Sequence, residues 1–276
     1  MTHFLADDGE KIHVKISGEG SPIIFLHGWT SSHEEWFPFL RELNGKHKVY
    51  RWDARGHGGH RLTRPDSATV ERMARDLKNL IDHFGLQDAT AVGHSMGALT
   101  LWQYLRDFGT HGLGKLCLID QSPKLLTAED WNHGIYGDFG QERHEQLLDW
   151  LDQDFAEGVL KLTALGLNER AKQKYLDNAA GWARSRAALQ AQNPEPLIHC
   201  WRSLTQADYR DVLANISLPT LLVYGGQSNF YRQETAHFVA RQIPQAILHI
   251  YEGTDHSPHQ WQRERFTAEL LAFINA

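Results

Sequence analysis

Short, continuously apolar runs alternate along this chain with longer segments of helical period. Residues 11–17 alternate polar and apolar like a half-exposed strand, and a turn follows at 18–21. Residues 22–26 are then apolar almost throughout, as a strand covered on both faces must be. Further buried-strand runs fall at 49–52, 90–92, 115–119, 220–224 and 247–251. Between them, 34–43, 67–84, 98–108, 234–242 and 260–274 carry the helical pattern; in 67–84, Val70, Met73, Leu77, Leu80 and Ile81 share one face. Strands alternating with helices predict an α/β fold built on a doubly wound, mostly parallel sheet. Ligands of such sheets bind at the carboxyl ends of the strands.

From about 123 to 214 the alternation stops, and only helical pieces remain, such as 144–155, 159–165 and 168–178. This stretch predicts a helical cap (123–214) inserted into a core formed by 1–122 and 215–276. It carries Trp131, Tyr136, Trp150, Phe155, Tyr175, Trp182 and Trp201, an aromatic set suited to the wall of an apolar pocket, although any single aromatic is more often core.

Composition narrows the function. A chain of 276 residues, 41% hydrophobic and 22% charged, can bury a large core. A net charge of −6 gives no reason to expect nucleic acid or an anionic membrane as partner, which leaves a small-molecule substrate. Cys117 and Cys200 lack C-x-x-C spacing and read as reduced core cysteines. The acidic start MTHFLADDGE does not resemble a signal peptide, and no window approaches a membrane span, so a cytoplasmic location is expected. Oligomeric state is not written in the sequence.

Chemistry concentrates at two places. Gly93-His94-Ser95-Met96-Gly97 lies between a strand run and a helical segment, where a sharp turn projects a serine hydroxyl outward. A hydroxyl is a poor nucleophile at neutral pH and requires a base, which in turn requires an orienting acid. His256 is the candidate base: it follows the last strand and the Gly253 turn and precedes Pro258, a helix opener. His259 falls in the first helical turn and is expected to be solvated. Among the seventeen histidines, His33-Glu34-Glu35 lacks the second histidine of H-E-x-x-H, and no phosphate-binding glycine motif occurs. Neither metal nor other cofactor is expected.

With His27-Gly28-Trp29 after the first buried strand, Asp53-Ala54-Arg55-Gly56-His57-Gly58, the Gly93–Gly97 elbow and the Gly253–His256 loop, the chain resembles the α/β-hydrolase fold superfamily over essentially its full length. The resemblance implies a cofactor-free serine hydrolase with backbone oxyanion donors at Trp29 and Met96, and with His27 and His94 as buttresses. In many relatives the triad acid follows the strand at 220–224, but here that turn reads Gly225-Gly226-Gln227-Ser228-Asn229, without a carboxylate. Some members place the acid after the preceding strand, which points to Asp120; Asp255, Glu234 and a Ser-His dyad are the alternatives. Arg55 is expected to tie the loops to Asp53. The candidate pocket wall is His27, Trp36, Trp131, Tyr136 and Trp182.

Three functions follow from this resemblance. The first is hydrolysis of a small ester, thioester, lactone or amide through an acyl-enzyme with Ser95, His256 and Asp120, the substrate being apolar or aromatic. The serine disfavours haloalkane dehalogenation, which uses an aspartate at the elbow. The second is a cofactor-independent dioxygenase acting on a hydroxyquinolone-type ring, suggested by the Asp120 position, Trp36 and the aromatic cap. The third is a small-molecule receptor with little turnover. A haloperoxidase label, common among similar sequences, would describe perhydrolysis at the same site.

Overall fold

The alternating and continuously apolar runs pair into one eight-stranded sheet in the structure, a computed structural model that describes residues 2–276. Its strands are β1 (Thr2–Leu5), β2 (Lys11–Ser17), β3 (Ser21–Leu26), β4 (His47–Asp53), β5 (Ala89–His94), β6 (Leu113–Ile119), β7 (Thr220–Gly225) and β8 (Ala246–Tyr251). They lie in the order β1-β2-β4-β3-β5-β6-β7-β8, antiparallel through β1, β2 and β4 and parallel from β4 to β8. From β3 the chain pairs first with β4 on one side and then with β5 on the other. That reversal opens a crevice at the carboxyl ends of β3 and β5.

Alternation along the central strands feeds two cores. Ile23, Phe25, Val92, Cys117, Ile119, Leu221 and Val223 face Trp36, Phe39 and the C-terminal helix Arg263–Asn275. Ile24, Leu26, Ala91, Leu116, Leu118 and Leu222 face the helices Val70–His83 and Met96–Phe108. Both cysteines are buried and free.

Between β6 and β7 the chain is helical, from Gln141–Gln153 and Phe155–Ala164 to Pro194–Gln206 and Arg210–Leu213. Asp154, Asn168 and Asn193 cap three of these helices, and Pro194 opens one. Hydrogen bonds dock the segment on the core: Trp29 Nε1 donates to the Leu197 carbonyl at 2.9 Å, Gln192 Nε2 to the Thr30 carbonyl at 3.0 Å, and the Val70 N–H to the Ser203 hydroxyl at 2.8 Å. Among the described residues, no helix is long and apolar enough to cross a membrane.

Three local readings change. The 34–43 segment is a 3₁₀ helix, His33–Phe39, with Pro38 inside it, followed by one α-turn, Leu40–Leu43. Arg55 pairs with Asp76 at 2.6 Å and with Asp8 at 3.0 Å rather than with Asp53, whose carboxylate takes the His33 N–H. His259 is fully buried, not solvated, because Pro258 turns it into the core against Trp36.

Candidate active site

Ser95 leaves β5 with φ +51° and ψ −113°, a conformation costing a non-glycine residue on the order of 1–3 kcal/mol, and the helix begins at the next residue. Two glycines permit this elbow. A Cβ on Gly93 would sit 2.6 Å from the Gly97 backbone, and one on Gly97 would sit 2.3 Å from the Leu26 carbonyl oxygen. Asp120, at the end of β6, also has a positive φ, +46°.

Asp120 is fully buried and collects three donors. Oδ1 accepts the Gly225 N–H at 2.9 Å; Oδ2 accepts the Ser228 hydroxyl at 2.6 Å and His256 Nδ1 at 2.6 Å. Asp120 therefore fixes the His256 tautomer: with the proton on Nδ1, the Nε2 lone pair is free to act as a base. Burial pushes the His256 imidazole below its ordinary value, more than the Asp120 bond and charge raise it, so the ring is neutral at pH 7. Asn229 Oδ1 accepts the His256 N–H at 3.2 Å and anchors the loop. Glu234 lies exposed at the start of the helix Gln233–Gln242, and Asp255 accepts the Ser257 N–H at 2.8 Å.

Ser95 and His256 line one cavity of about 450 Å³. No hydrogen bond joins them among the described residues, and such contacts commonly tighten only when substrate binds. Neither the Trp29 N–H nor the Met96 N–H has an acceptor among the described residues. Met96 is the first residue of its helix, where N–H groups are left over for a ligand. Leu99, Leu125, Ile135, Val159, Leu162, Trp201, Leu204 and Phe230 make the cavity wall predominantly apolar.

One carboxylate that sequence reasoning missed ties the site together. Glu35 Oε2 accepts the Gly28 N–H at 3.0 Å, while Oε1 lies 2.7 Å from His94 Nδ1 and 3.0 Å from His259 Nε2. His94 Nε2 donates to the His256 carbonyl at 2.9 Å. Glu35 thus joins the loop before Trp29, the residue before Ser95 and the loop carrying His256. Burial pushes the Glu35 carboxyl up, but the His94 charge and the bonds from His259 and His94 outweigh it and hold the carboxyl well below the usual range. Burial likewise lowers His94, yet Glu35 prevails and raises it; His259 is pushed down to about 4 by burial. These three side chains have the donor types of a metal site, with ligand atoms within 4.8 Å of one another, but Glu35 already pairs with His94 by charge and with His259 through a hydrogen bond.

None of the five proposed wall residues lines the cavity. His27 is fully buried, with Nε2 accepting the Ala54 N–H at 3.0 Å and Nδ1 donating to the Gly28 carbonyl at 2.8 Å; it is a buttress only. Trp36 lies on the opposite face of the sheet against Phe25 and His259. Trp131 is held away by its Nε1 bond to the Lys124 carbonyl and by Arg210 over its ring. Tyr136 bonds the Leu162 carbonyl and backs Phe230 from behind. Trp182 packs edge-on against Tyr175, half-buried. The aromatic walls are instead Trp29, Trp201, with ring centroids 4.8 Å apart, and Phe230, whose ring lies 4.5 Å from that of His256.

Residues 21–262 match the alpha/beta hydrolase fold family. The chain belongs to that family. It is 29% identical over 276 residues to a non-heme chloroperoxidase of Kitasatospora aureofaciens, covering 97% of each chain. It is 25% identical over 266 residues to a pimeloyl-[acyl-carrier protein] methyl ester esterase of Vibrio cholerae, covering 95% of this chain and 97% of that one. Among solved structures, an esterase from Exiguobacterium antarcticum superposes with a TM-score of 0.86 at 23% identity, over 100% of this chain and 99% of the other.

Proposed function

We propose that this hydrolase cleaves a small carboxylic ester or thioester through an acyl-enzyme. The observation that carries the reading is a serine on a strained elbow, sharing an apolar cavity with a histidine whose Nδ1 is held by a buried aspartate. In this reading Ser95 Oγ attacks the scissile carbonyl carbon while His256 Nε2 takes its proton. The Trp29 and Met96 N–H groups receive the developing oxyanion, each such donor being worth roughly 3 kcal/mol. The tetrahedral intermediate collapses as His256 returns the proton to the leaving group. Water, deprotonated by the same nitrogen, then attacks the acyl carbon and releases the acid. Asp120 stays ionised and orients the imidazolium.

Residues 123–214 act as the cap that supplies much of the acyl wall, and 1–122 with 215–276 hold the chemistry. The substrate's acyl group is small and mostly apolar, to match about 450 Å³ with a predominantly apolar wall. The esterases among the relatives and neighbours support this choice. The chloroperoxidase likeness fits the same acyl-enzyme: hydrogen peroxide in place of water yields a peracid. Trp36, on which the ring-cleaving dioxygenase reading leaned, lies in the core. The test is a panel of p-nitrophenyl esters graded from acetate to decanoate. Turnover should peak at short to medium chains and vanish in Ser95→Ala; equal turnover by folded Ser95→Ala would overturn the reading.

A further inference from the structure

The cavity wall contains a deeply buried polar group that its surroundings do not fully satisfy. Gln121, 2% exposed, lines the cavity immediately after Asp120. Its Oε1 accepts the Ser122 N–H at 2.8 Å and the Tyr231 hydroxyl, and its backbone carbonyl accepts the Tyr224 hydroxyl at 2.5 Å. Two donors on Oε1 fix the amide's orientation and leave Nε2 with two hydrogens and no acceptor among the described residues. Nor is that nitrogen among the sealed unpartnered atoms of the core, such as Trp36 Nε1 and Trp52 Nε1, and the residue that carries it lines the cavity.

Other polar groups of the inner wall are engaged: Thr163 Oγ1 donates to the Val159 carbonyl, and Asn229 spans the Thr163 carbonyl and the His256 N–H. An amide held this rigidly in an apolar wall selects for an acceptor on the ligand, because a buried donor left unmade is costly.

Position says where on the substrate that acceptor lies. Ile119 of β6 pairs with His94 of β5, and neighbouring strands run about 4.8 Å apart, so Asp120 starts about one strand spacing from Ser95 and Gln121 one residue further along. Gln121 and Ser95 line the same cavity, so the acyl chain next to the scissile carbon is the part of a bound substrate that passes this side chain. We propose that Gln121 Nε2 donates to an oxygen on the β-carbon of the acyl group, making this enzyme selective for 3-oxoacyl esters or thioesters over unsubstituted ones. The inference rests on the acyl-enzyme reading above.

The test compares ethyl 3-oxohexanoate with ethyl hexanoate in a pH-stat, for wild type, Gln121→Met and Gln121→Asn, with folding checked by circular dichroism. The variant-to-wild-type comparison cancels the intrinsic reactivity of the oxo ester. The kcat/KM ratio of oxo to plain ester should fall about tenfold in either variant, the worth of one neutral hydrogen bond. An unchanged ratio in either folded variant overturns the assignment and leaves the esterase reading standing. Hydrolysis of neither ester by wild type, while p-nitrophenyl esters are cleaved, overturns it too; failure on all of these esters refutes the esterase reading itself.

Discussion

Replacing Asp120 by asparagine tests the relay with the least change of shape. Both carboxylate oxygens face N–H donors, the Gly225 backbone on Oδ1 and His256 Nδ1 on Oδ2. An amide must turn its NH₂ toward one of them. Gly225 is fixed in β7, so the lower-energy orientation keeps the amide oxygen there and presents NH₂ to His256. His256 then accepts at Nδ1, its proton moves to Nε2, and the ring can no longer take a proton from Ser95. A wrong tautomer of this kind costs about 10⁴ in kcat in a well-studied triad, or roughly 5.5 kcal/mol of barrier. Stability should fall only by about 1–3 kcal/mol, because the volume is kept and one donor pair is mismatched. The assay is kcat/KM on p-nitrophenyl butyrate at pH 7.5, with chemical denaturation in parallel. A folded Asp120→Asn enzyme within tenfold of wild type would refute the tautomer argument and the assignment of the acid.

Ser228→Ala removes one of the three donors on Asp120 and the acceptor of the Phe230 and Tyr231 N–H groups, so kcat should drop about tenfold with KM nearly constant; steady-state kinetics on one ester reads both. Glu35→Gln removes the carboxylate that pairs with His94 and accepts from the Gly28 N–H, so His94 titrates lower and stability should fall by about 1–3 kcal/mol, seen as a shifted urea midpoint. Because burial holds the His256 imidazole below its ordinary value, activity should be complete above pH 7 and lost as pH falls through that lowered value; an acid limb of kcat/KM centred above 6.5 would contradict it. Burial pushes His57 down to about 3, so the unfolded chain binds its proton first: stability is fully present above pH 6.5 and falls as pH drops toward 3. Thermal melts from pH 7 to 5 should show that decline, and His57→Gln should flatten it.

Local patterns carried much of this architecture. The elbow was legible because an apolar run, two glycines and a helical segment meet within a few residues, and Asp120 because the turn after β7 offers no carboxylate. Helices 67–84 and 98–108 were readable from one-sided apolar periodicity, and the helices now bounded as Val70–His83 and Met96–Phe108 differ only at their ends. Glu35 was not legible, since its partners lie 59 and 224 positions away and nothing local separates it from Glu34. Cap aromatics failed for a related reason: Trp131 and Tyr136 look no different in sequence from Phe230, and which ring meets the cavity depends on how the helices between β6 and β7 dock. The 34–43 helix was overread because its apolar period hid the effect of Pro38.

The most direct measurement is covalent labelling with a fluorophosphonate at pH 7.5, followed by intact mass and peptide mapping. The account predicts one adduct per chain, located on Ser95 and abolished by Ser95→Ala, with labelling greatly slowed in His256→Ala. An unlabelled wild-type protein, or an adduct mapped to any other residue, would contradict it.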